Sequence, residues 1–193
     1  MTKPICVYCQ AAPATTEDHV PPKSLFPKNL WATLVVTVPA CDSCNSGNSA
    51  NENRFRDVIA VMAGPSAGKN TYAKFKKTLQ HEAGKRGKIL ADSYRNLDGA
   101  LVWKTSIGPL VESVEKIAKG LHYNELGKPW PLAATVDVYI DPTESVAELK
   151  NDPAAEHRAI GPDFSYSYRA EDSVSIWWLD FHSKLKAVVV FEE

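Results

Sequence analysis

Four cysteines constrain this chain more than any other feature of its sequence. They are the only cysteines among the 193 residues, and they form two C-x2-C pairs, Cys6/Cys9 and Cys41/Cys44, with 31 residues between the pairs. One C-x2-C turn presents two thiolates to a tetrahedral ion, and a second turn of the same kind completes the shell. The spacing therefore predicts a closed, structural Zn²⁺ site that helps to fold the segment between the pairs.

Two other uses of the cysteines fit the sequence less well. Two disulfides would require an oxidising compartment, and the N-terminal Met-Thr-Lys-Pro-Ile-Cys has no apolar run typical of a secretory signal. A redox-active C-x2-C pair would not need a second pair. No apolar run approaches the length of a membrane span. We therefore expect a metal-binding cytoplasmic protein with no membrane segment.

The polar residues inside this frame indicate chemistry. Asp18 and His19 are an adjacent acid and base, and Asn45 directly follows the last cysteine. Closing the zinc site folds back the loop between the cysteine pairs, so these three side chains can face one another. Carboxylate and amide oxygens suit Mg²⁺ or Mn²⁺, and an imidazole can take a proton from water. These are the parts needed to hydrolyse a phosphodiester.

The segment from Cys6 to about Arg56 resembles the HNH endonucleases, a group of ββα-metal nucleases with a treble-clef zinc site. The resemblance is carried by C-V-Y-C, E-D-H-V-P-P-K-S-L-F, V-P-A-C-D-S-C-N and the polar helix predicted after them. It implies that His19 is the general base and that Asp18 and Asn45 bind a catalytic Mg²⁺ or Mn²⁺. It also implies a structural Zn²⁺ on Cys6, Cys9, Cys41 and Cys44.

The sequence departs from the family pattern in the helix after the second cysteine pair. Many family members carry histidines there, whereas the stretch from Asn45 to Glu52 has none. Asn48, Ser49 and Glu52 follow Asn45 by three, four and seven residues and so share one helical face. Any of the three is a candidate to complete the metal shell, directly or through water.

The charge distribution bears on the partner. The net charge is −1 and the isoelectric point about 6.5, which does not favour nucleic acid, but affinity for a phosphate backbone depends on a local basic patch. Basic residues cluster between Lys69 and Lys88, either as a solvated helix face or as a phosphate-tracking surface. Arg54 and Arg56 are candidate phosphate clamps or plain surface residues. We expect DNA as the substrate, with RNA, a homodimer and a regulatory protein partner left open.

The rest of the chain predicts an α+β fold. We expect an HNH module over residues 1–63 and a mixed helical and antiparallel accessory region over 64–193. Gly64 to Lys69 is predicted to be a helix-breaking linker rather than a phosphate loop, because only three residues separate its two glycines. Further predicted elements are a strand over Lys88 to Tyr94, an amphipathic helix over Ser106 to Tyr123, a short helix over Glu144 to Asn151 and a final hairpin joining Ser173–Phe181 to Lys184–Phe191.

Two of the aromatic residues in that hairpin have alternative roles. Trp177 and Trp178 should point to opposite faces of a strand, so one of them could be exposed and stack on a base. Burial in the core is the other interpretation.

The sequence thus predicts a metal-dependent HNH-type endonuclease that hydrolyses DNA. The alternative is a catalytically silent zinc treble-clef module that binds nucleic acid or protein, which the cysteine pairs fit equally well. Glu17-Asp18-His19 and Asn45 favour the enzyme, because a scaffold has no need of them. A role as a toxin or phage-defence effector is compatible with nuclease chemistry.

Overall fold

The computed structural model describes residues 4–26, 28, 36–67, 69–95, 97, 101–141 and 152–193. It shows a mixed α+β protein with antiparallel sheets and a cluster of four cysteines near the N-terminus. This confirms the α+β class predicted from the sequence. No helix in these ranges combines the length and the apolarity needed to cross a membrane. The helix predicted over Glu144 to Asn151 lies outside the described residues.

A hairpin and two helices form the N-terminal part. Strand β1 (Thr16–Val20) pairs antiparallel with β2 (Val36–Ala40), and Asp18 lies opposite Val38. Helix α1 (Asp42–Ser46) follows β2 directly, and α2 (Ser49–Ala67) comes next.

The chain leaves helical geometry once within α2. Gly64 has a φ of 65° and a ψ of −175°, so α2 is two helical stretches joined across a kink. A positive φ is a conformation that glycine adopts at little cost. The kink lies where the sequence predicts a helix-breaking linker, and helical structure resumes beyond it as far as Ala67.

Two further helices follow, and the second replaces part of a predicted strand. Helix α3 (Lys69–His81) is followed by α4 (Ala83–Ala91), whereas β3 (Ser93–Arg95) and β4 (Leu101–Trp103) form only a short antiparallel pair. The prediction of a strand over Lys88 to Tyr94 is therefore wrong for most of its length. Tertiary contact explains the difference, because Ile89 packs with Phe75 and Ala60 in a small cluster of its own and is one of the last apolar residues of α4.

The C-terminal part is a long helix against a sheet. Helix α5 (Gly108–Leu126) precedes five strands, and its apolar stripe confirms the predicted amphipathic helix. The strands are β5 (Thr135–Asp141), β6 (Glu156–Ile160), β7 (Phe164–Ala170), β8 (Val174–Phe181) and β9 (Leu185–Glu192). They form one antiparallel sheet in the order β5-β9-β8-β7-β6, so the predicted final hairpin is confirmed as β8-β9.

One hydrophobic core spans the two parts. It contains Cys6 and Val20 from the N-terminal part, Leu121 from α5, and Trp177 and Phe181 from the sheet. Trp177 and Trp178 are both buried, so the core interpretation of these residues is confirmed and base stacking by either is wrong. The long helix α5 contacts both the hairpin and the sheet, and it thereby brings residues from the C-terminal part to the N-terminal polar residues.

Candidate functional site

The four cysteines converge on one point. Their Sγ atoms all lie within 4.8 Å of one another, and the Cys9 and Cys41 sulfurs are 3.9 Å apart. A tetrahedral ion with Zn–S bonds of about 2.3 Å would hold its sulfurs about 3.8 Å apart. All four thiols are free, and the separation is far longer than a disulfide bond of about 2.05 Å. The cluster is therefore arranged to hold a structural metal such as zinc.

Local hydrogen bonds prepare two of these thiols for coordination. The Ser43 hydroxyl, 3.2 Å from the Cys41 sulfur, and the Cys44 backbone N–H lower the pKa of Cys41 to about 6. The Ala11 and Ala12 backbone N–H groups lower the pKa of Cys9. Burial and the neighbouring thiols raise the pKa of Cys44 to about 12. A bound cation would stabilise the thiolate and so oppose this rise.

The first cysteine turn also positions Asp18, the predicted ligand of the catalytic metal. Tyr8 lies between Cys6 and Cys9, and its hydroxyl donates a 2.9 Å hydrogen bond to Asp18 Oδ2. Burial and the Asp18 charge raise the pKa of Tyr8, so the phenol stays a donor. The other oxygen, Asp18 Oδ1, accepts a 2.9 Å hydrogen bond from the His19 backbone N–H. The cysteine turn and β1 thus fix both oxygens of a buried carboxylate.

A lysine from α5 completes the surroundings of Asp18. Lys116 Nζ lies 2.8 Å from Asp18 Oδ2 and 2.7 Å from Glu52 Oε1, and its side chain is only 12% exposed. Lys116 is a charged residue outside the apolar stripe of α5, yet its side chain is largely enclosed at this contact. Its neighbour one turn earlier, Ser113, is buried as well, so the face of α5 that meets β1 is partly polar.

The charges of this trio stabilise one another. Burial lowers the pKa of Lys116, but attraction to Asp18 and hydrogen bonds to both carboxylates outweigh burial and raise it. Burial raises the pKa of Glu52, and Lys116 partly offsets that effect. The ammonium is therefore charged, and it is the cation that lets two carboxylates stay inside the protein.

His19 lies beside this trio. Asp18, His19 and Glu52 line the same small cavity, together with Lys116. Burial and the charge of Lys23 lower the pKa of His19, although Asp18 and Glu17 oppose them. Across the described ranges no hydrogen bond to the His19 ring is found. The imidazole is therefore neutral at pH 7 and open to accept a proton.

A second residue from α5 reaches the same cavity. Ser113 is 1% exposed, and its hydroxyl has no hydrogen-bond partner among the residues described. It lines the cavity three residues before Lys116, on the same face of the helix. A buried hydroxyl without a protein partner is the kind of group that a bound ligand or water satisfies.

The structure places Asn45 differently from Asp18 and His19. Asn45 Nδ2 donates to Thr16 Oγ1 at 3.0 Å and to the Glu17 carbonyl at 3.3 Å. The amide thus ties α1 to β1. Its Oδ1 is the atom that could coordinate a metal, and Asn45 is not among the described residues that line the cavity.

Of the candidate metal ligands predicted on the helix after the second cysteine pair, one faces the cavity and two do not. Glu52 faces the cavity with Asp18, whereas Asn48 accepts a 3.0 Å hydrogen bond from Asn51 and lines an adjoining groove. Ser49 lines another depression, beside Arg54. Of the three residues proposed to complete a metal shell, only Glu52 is brought to Asp18.

The two candidate phosphate clamps have partners within the protein. The buried Arg56 guanidinium donates to Asp57 Oδ1 at 2.9 Å and to Asn53 Oδ1 at 3.0 Å. Arg54 Nε donates to Thr105 Oγ1 at 2.9 Å. Arg56 is therefore a structural ion pair, and the prediction that it clamps a phosphate is wrong.

The sequence reasoning missed Tyr8, Ser113 and Lys116. Tyr8 had one available signal, because the residue between two metal ligands is held wherever they are held. Ser113 and Lys116 had none, because their approach to β1 depends on how α5 packs. Comparisons with protein-family models, with curated proteins and with solved structures found no match to this chain.

Proposed function

We propose that this protein is a metal-dependent HNH-type endonuclease that hydrolyses DNA phosphodiester bonds. One observation supports the proposal above all. Asp18, His19 and Glu52 line a single cavity. They are presented by an antiparallel hairpin and helix α2, beside four converging cysteines. A base and two hard carboxylates that line one cavity are groups that metal-dependent phosphodiester hydrolysis uses.

In this proposal zinc is structural. It would be held by Cys6, Cys9, Cys41 and Cys44, and with all four positions filled by sulfur it would leave no open site for substrate. Its effect on the chemistry would be indirect. By fixing the first cysteine turn it would fix Tyr8, whose hydroxyl orients the Asp18 carboxylate.

His19 would act as the general base. The neutral imidazole takes a proton from water as the water oxygen bonds to phosphorus, and the bond from phosphorus to the 3′ oxygen breaks. Burial in a partly enclosed site keeps the pKa of the imidazole lowered, so the base form dominates at neutral pH.

A Mg²⁺ or Mn²⁺ ion would be held by Asp18 and Glu52, with the Asn45 amide oxygen remaining a predicted ligand. When bound, such an ion supplies Lewis-acid stabilisation of the charge that develops on the phosphate and the leaving oxygen. The donor atoms fit this ion in kind, because all are hard oxygens. Lys116 already lies between the two carboxylates, so the ion would have to take its place.

A specific observation favours the alternative, a non-catalytic zinc module that binds nucleic acid or protein. Lys116 neutralises the Asp18 and Glu52 pair from within the protein, as expected of a site whose carboxylates serve structure. Among the described residues, neither the His19 ring nor the Ser113 hydroxyl has a hydrogen-bond partner, and this favours the enzyme, because folding alone needs neither group.

Plasmid cleavage with a histidine variant tests the proposal. We expect zinc-loaded protein to nick or linearise plasmid DNA with Mg²⁺ or Mn²⁺ and not with a chelator. His19→Ala should lower the rate by about 10²- to 10⁴-fold, the usual contribution of a general base. His81→Ala is the matched control, because His81 is exposed at the end of α3. Both variants should retain one zinc per chain.

Full activity of His19→Ala would contradict the assignment of the base. Absence of cleavage by zinc-loaded wild-type protein with every ion would favour the binding module.

A further inference from the structure

The Asp18 and Glu52 carboxylates already share a cation. The Lys116 ammonium contacts both, at 2.8 and 2.7 Å, and the three groups come from β1, α2 and α5. The Asp18 side chain is 10% exposed and the Glu52 side chain 20% exposed, so water screens the trio weakly. The lysine belongs to the C-terminal part of the chain, outside the segment that resembles a nuclease.

The pair cannot hold two cations. An ammonium and a divalent ion that both contact the same carboxylate oxygens would lie within a few ångströms of each other, where like charges in a poorly screened site repel strongly. Without either cation, the buried Asp18 carboxylate and the partly buried Glu52 carboxylate would be left uncompensated. The Asp18 and Glu52 pair therefore needs one cation and excludes a second.

A groove next to the cavity can accept the Lys116 side chain when an ion displaces it. Its side chain lines the small cavity and also the adjoining groove, which is formed with Asn48, Asn51 and Lys119. A lysine carries its charge on a flexible four-carbon stem, so rotation can move the ammonium from the carboxylates into the groove. Tyr8, which lies in both linings, can keep its hydrogen bond to Asp18 throughout.

We propose that Lys116 and a divalent ion are mutually exclusive occupants of the Asp18 and Glu52 pair, so that ion loading requires the displacement of Lys116. Helix α5 thereby sets the affinity of the site for its ion. This inference rests on the proposed function only in taking Asp18 and Glu52 as the ion's ligands.

Calorimetric titration of zinc-loaded full-length protein with Mn²⁺ tests the exclusion. Lys116→Met keeps the length of the side chain and removes its charge, and we expect it to bind Mn²⁺ at least about tenfold more tightly than wild type. Lys76→Met is the control. Lys76 is exposed on α3 and lines neither the small cavity nor the adjoining groove, so its removal should leave the affinity unchanged. Adding Asp18→Asn to Lys116→Met should abolish the gain.

A second measurement uses the wild-type chain, because Lys116→Met leaves buried carboxylates uncompensated and its apo form can be unstable. Acylation of lysine amines by a succinimidyl ester, followed by peptide mass spectrometry, reports the exposure of each ammonium. Across a Mg²⁺ titration the acylation of Lys116 should rise as the ion binds, and that of Lys76 should not. Unchanged Lys116 reactivity in protein that binds the ion would overturn the inference.

The outcomes separate this inference from the proposed function. Equal Mn²⁺ affinity in wild type and Lys116→Met, or no binding by either, overturns the exclusion, whatever the protein does to DNA. If Lys116→Met binds Mn²⁺ more tightly and neither protein cleaves DNA, the exclusion is supported and the nuclease proposal is contradicted. If wild type cleaves DNA and Lys116→Met shows no gain in Mn²⁺ affinity, the nuclease proposal is supported and the exclusion is contradicted.

Discussion

At the residue scale, Asn45 shows how one side chain can satisfy two interpretations. An asparagine after the last metal cysteine resembles a metal ligand in the sequence. In the structure its Nδ2 donates to Thr16 Oγ1 and to the Glu17 carbonyl, next to Asp18 and His19 on β1. The two roles use different atoms of the amide, so a substitution that changes only the donor separates them.

Asn45→Asp makes that separation. The new carboxylate keeps an oxygen that could bind a metal but has no N–H to donate. One of its oxygens then lies against the Glu17 carbonyl oxygen, which Asn45 Nδ2 contacts in the wild type. We expect the free energy of unfolding to fall by about 0.5–1.5 kcal/mol, the usual contribution of such hydrogen bonds. Urea unfolding of zinc-loaded protein measures it.

Asn48→Asp is the control for this substitution. Within the described part of the chain the Asn48 side chain acts through its oxygen, as acceptor from Asn51, and an acidic residue suits the start of α2. Unchanged stability of Asn45→Asp, with tighter Mn²⁺ binding, would show that Asn45 serves as a ligand and not as a brace.

At the element scale, α5 is the helix on which the site depends. Ser113 and Lys116 reach the cavity from one turn, and Gly120 lies against the hairpin about one turn later. A Cβ built at Gly120 would lie 2.5 Å from Val20 Cγ2 and 3.3 Å from the Tyr8 hydroxyl. The missing side chain therefore lets α5 approach β1 closely enough for Lys116 to reach Asp18.

Gly120→Ala tests this close approach. Alanine favours a helix by up to about 1 kcal/mol over glycine, but the new methyl group meets a stiff β-branched side chain. Overpacking of this kind costs about 1–3 kcal/mol, so we expect a net loss of stability in urea unfolding.

Gly87→Ala in α4 is the matched control for that prediction. A Cβ there meets nothing within 4 Å, so alanine should stabilise the protein by about 0.5–1 kcal/mol. A gain of stability in both variants would mean that α5 can move away from the hairpin without cost.

At the scale of the whole molecule, His122 helps to join α5 to the C-terminal sheet. Its ring centroid lies 5.9 Å from that of Trp177 and 5.8 Å from that of Phe191, and Nδ1 lies 3.1 Å from the Lys128 carbonyl. Burial lowers the pKa of this imidazole, although the hydrogen bond to Lys128 opposes burial. The histidine is thus a neutral core residue within α5.

This lowered pKa predicts an acid-sensitive core. Below about pH 6.5 the unfolded chain binds a proton at His122 more readily than the folded protein does. The free energy of unfolding should therefore fall as the pH drops, by at most about 1.4 kcal/mol per pH unit from this residue. Urea unfolding from pH 8 to pH 5 measures the slope.

His122→Phe keeps an aromatic ring and removes the titration, so it should show a shallower fall in stability over the same range, even if it is less stable at pH 8. Equal slopes for variant and wild type would assign the acid sensitivity to other groups.

Some features follow from the sequence because they depend on neighbours along the chain. The C-x2-C spacing determines that two cysteines share a turn, and the periodicity of Gly108–Leu126 and of the β8-β9 segments determines their secondary structure. Asp18 and His19 are adjacent in the sequence, so the same strand, β1, carries both. These local relations hold in any packing that buries the same apolar residues.

Other features were decided only by the tertiary structure. Lys116 looks like a solvated helix residue until α5 packs against β1, where the same side chain becomes the buried partner of Asp18 and Glu52. The residues around Ile89 form a helix because they pack on α2 and α3, although their own sequence also suits a strand. A local sequence pattern determines on which face of its helix or strand a side chain lies. Only tertiary packing determines which distant charged group or apolar surface that face meets.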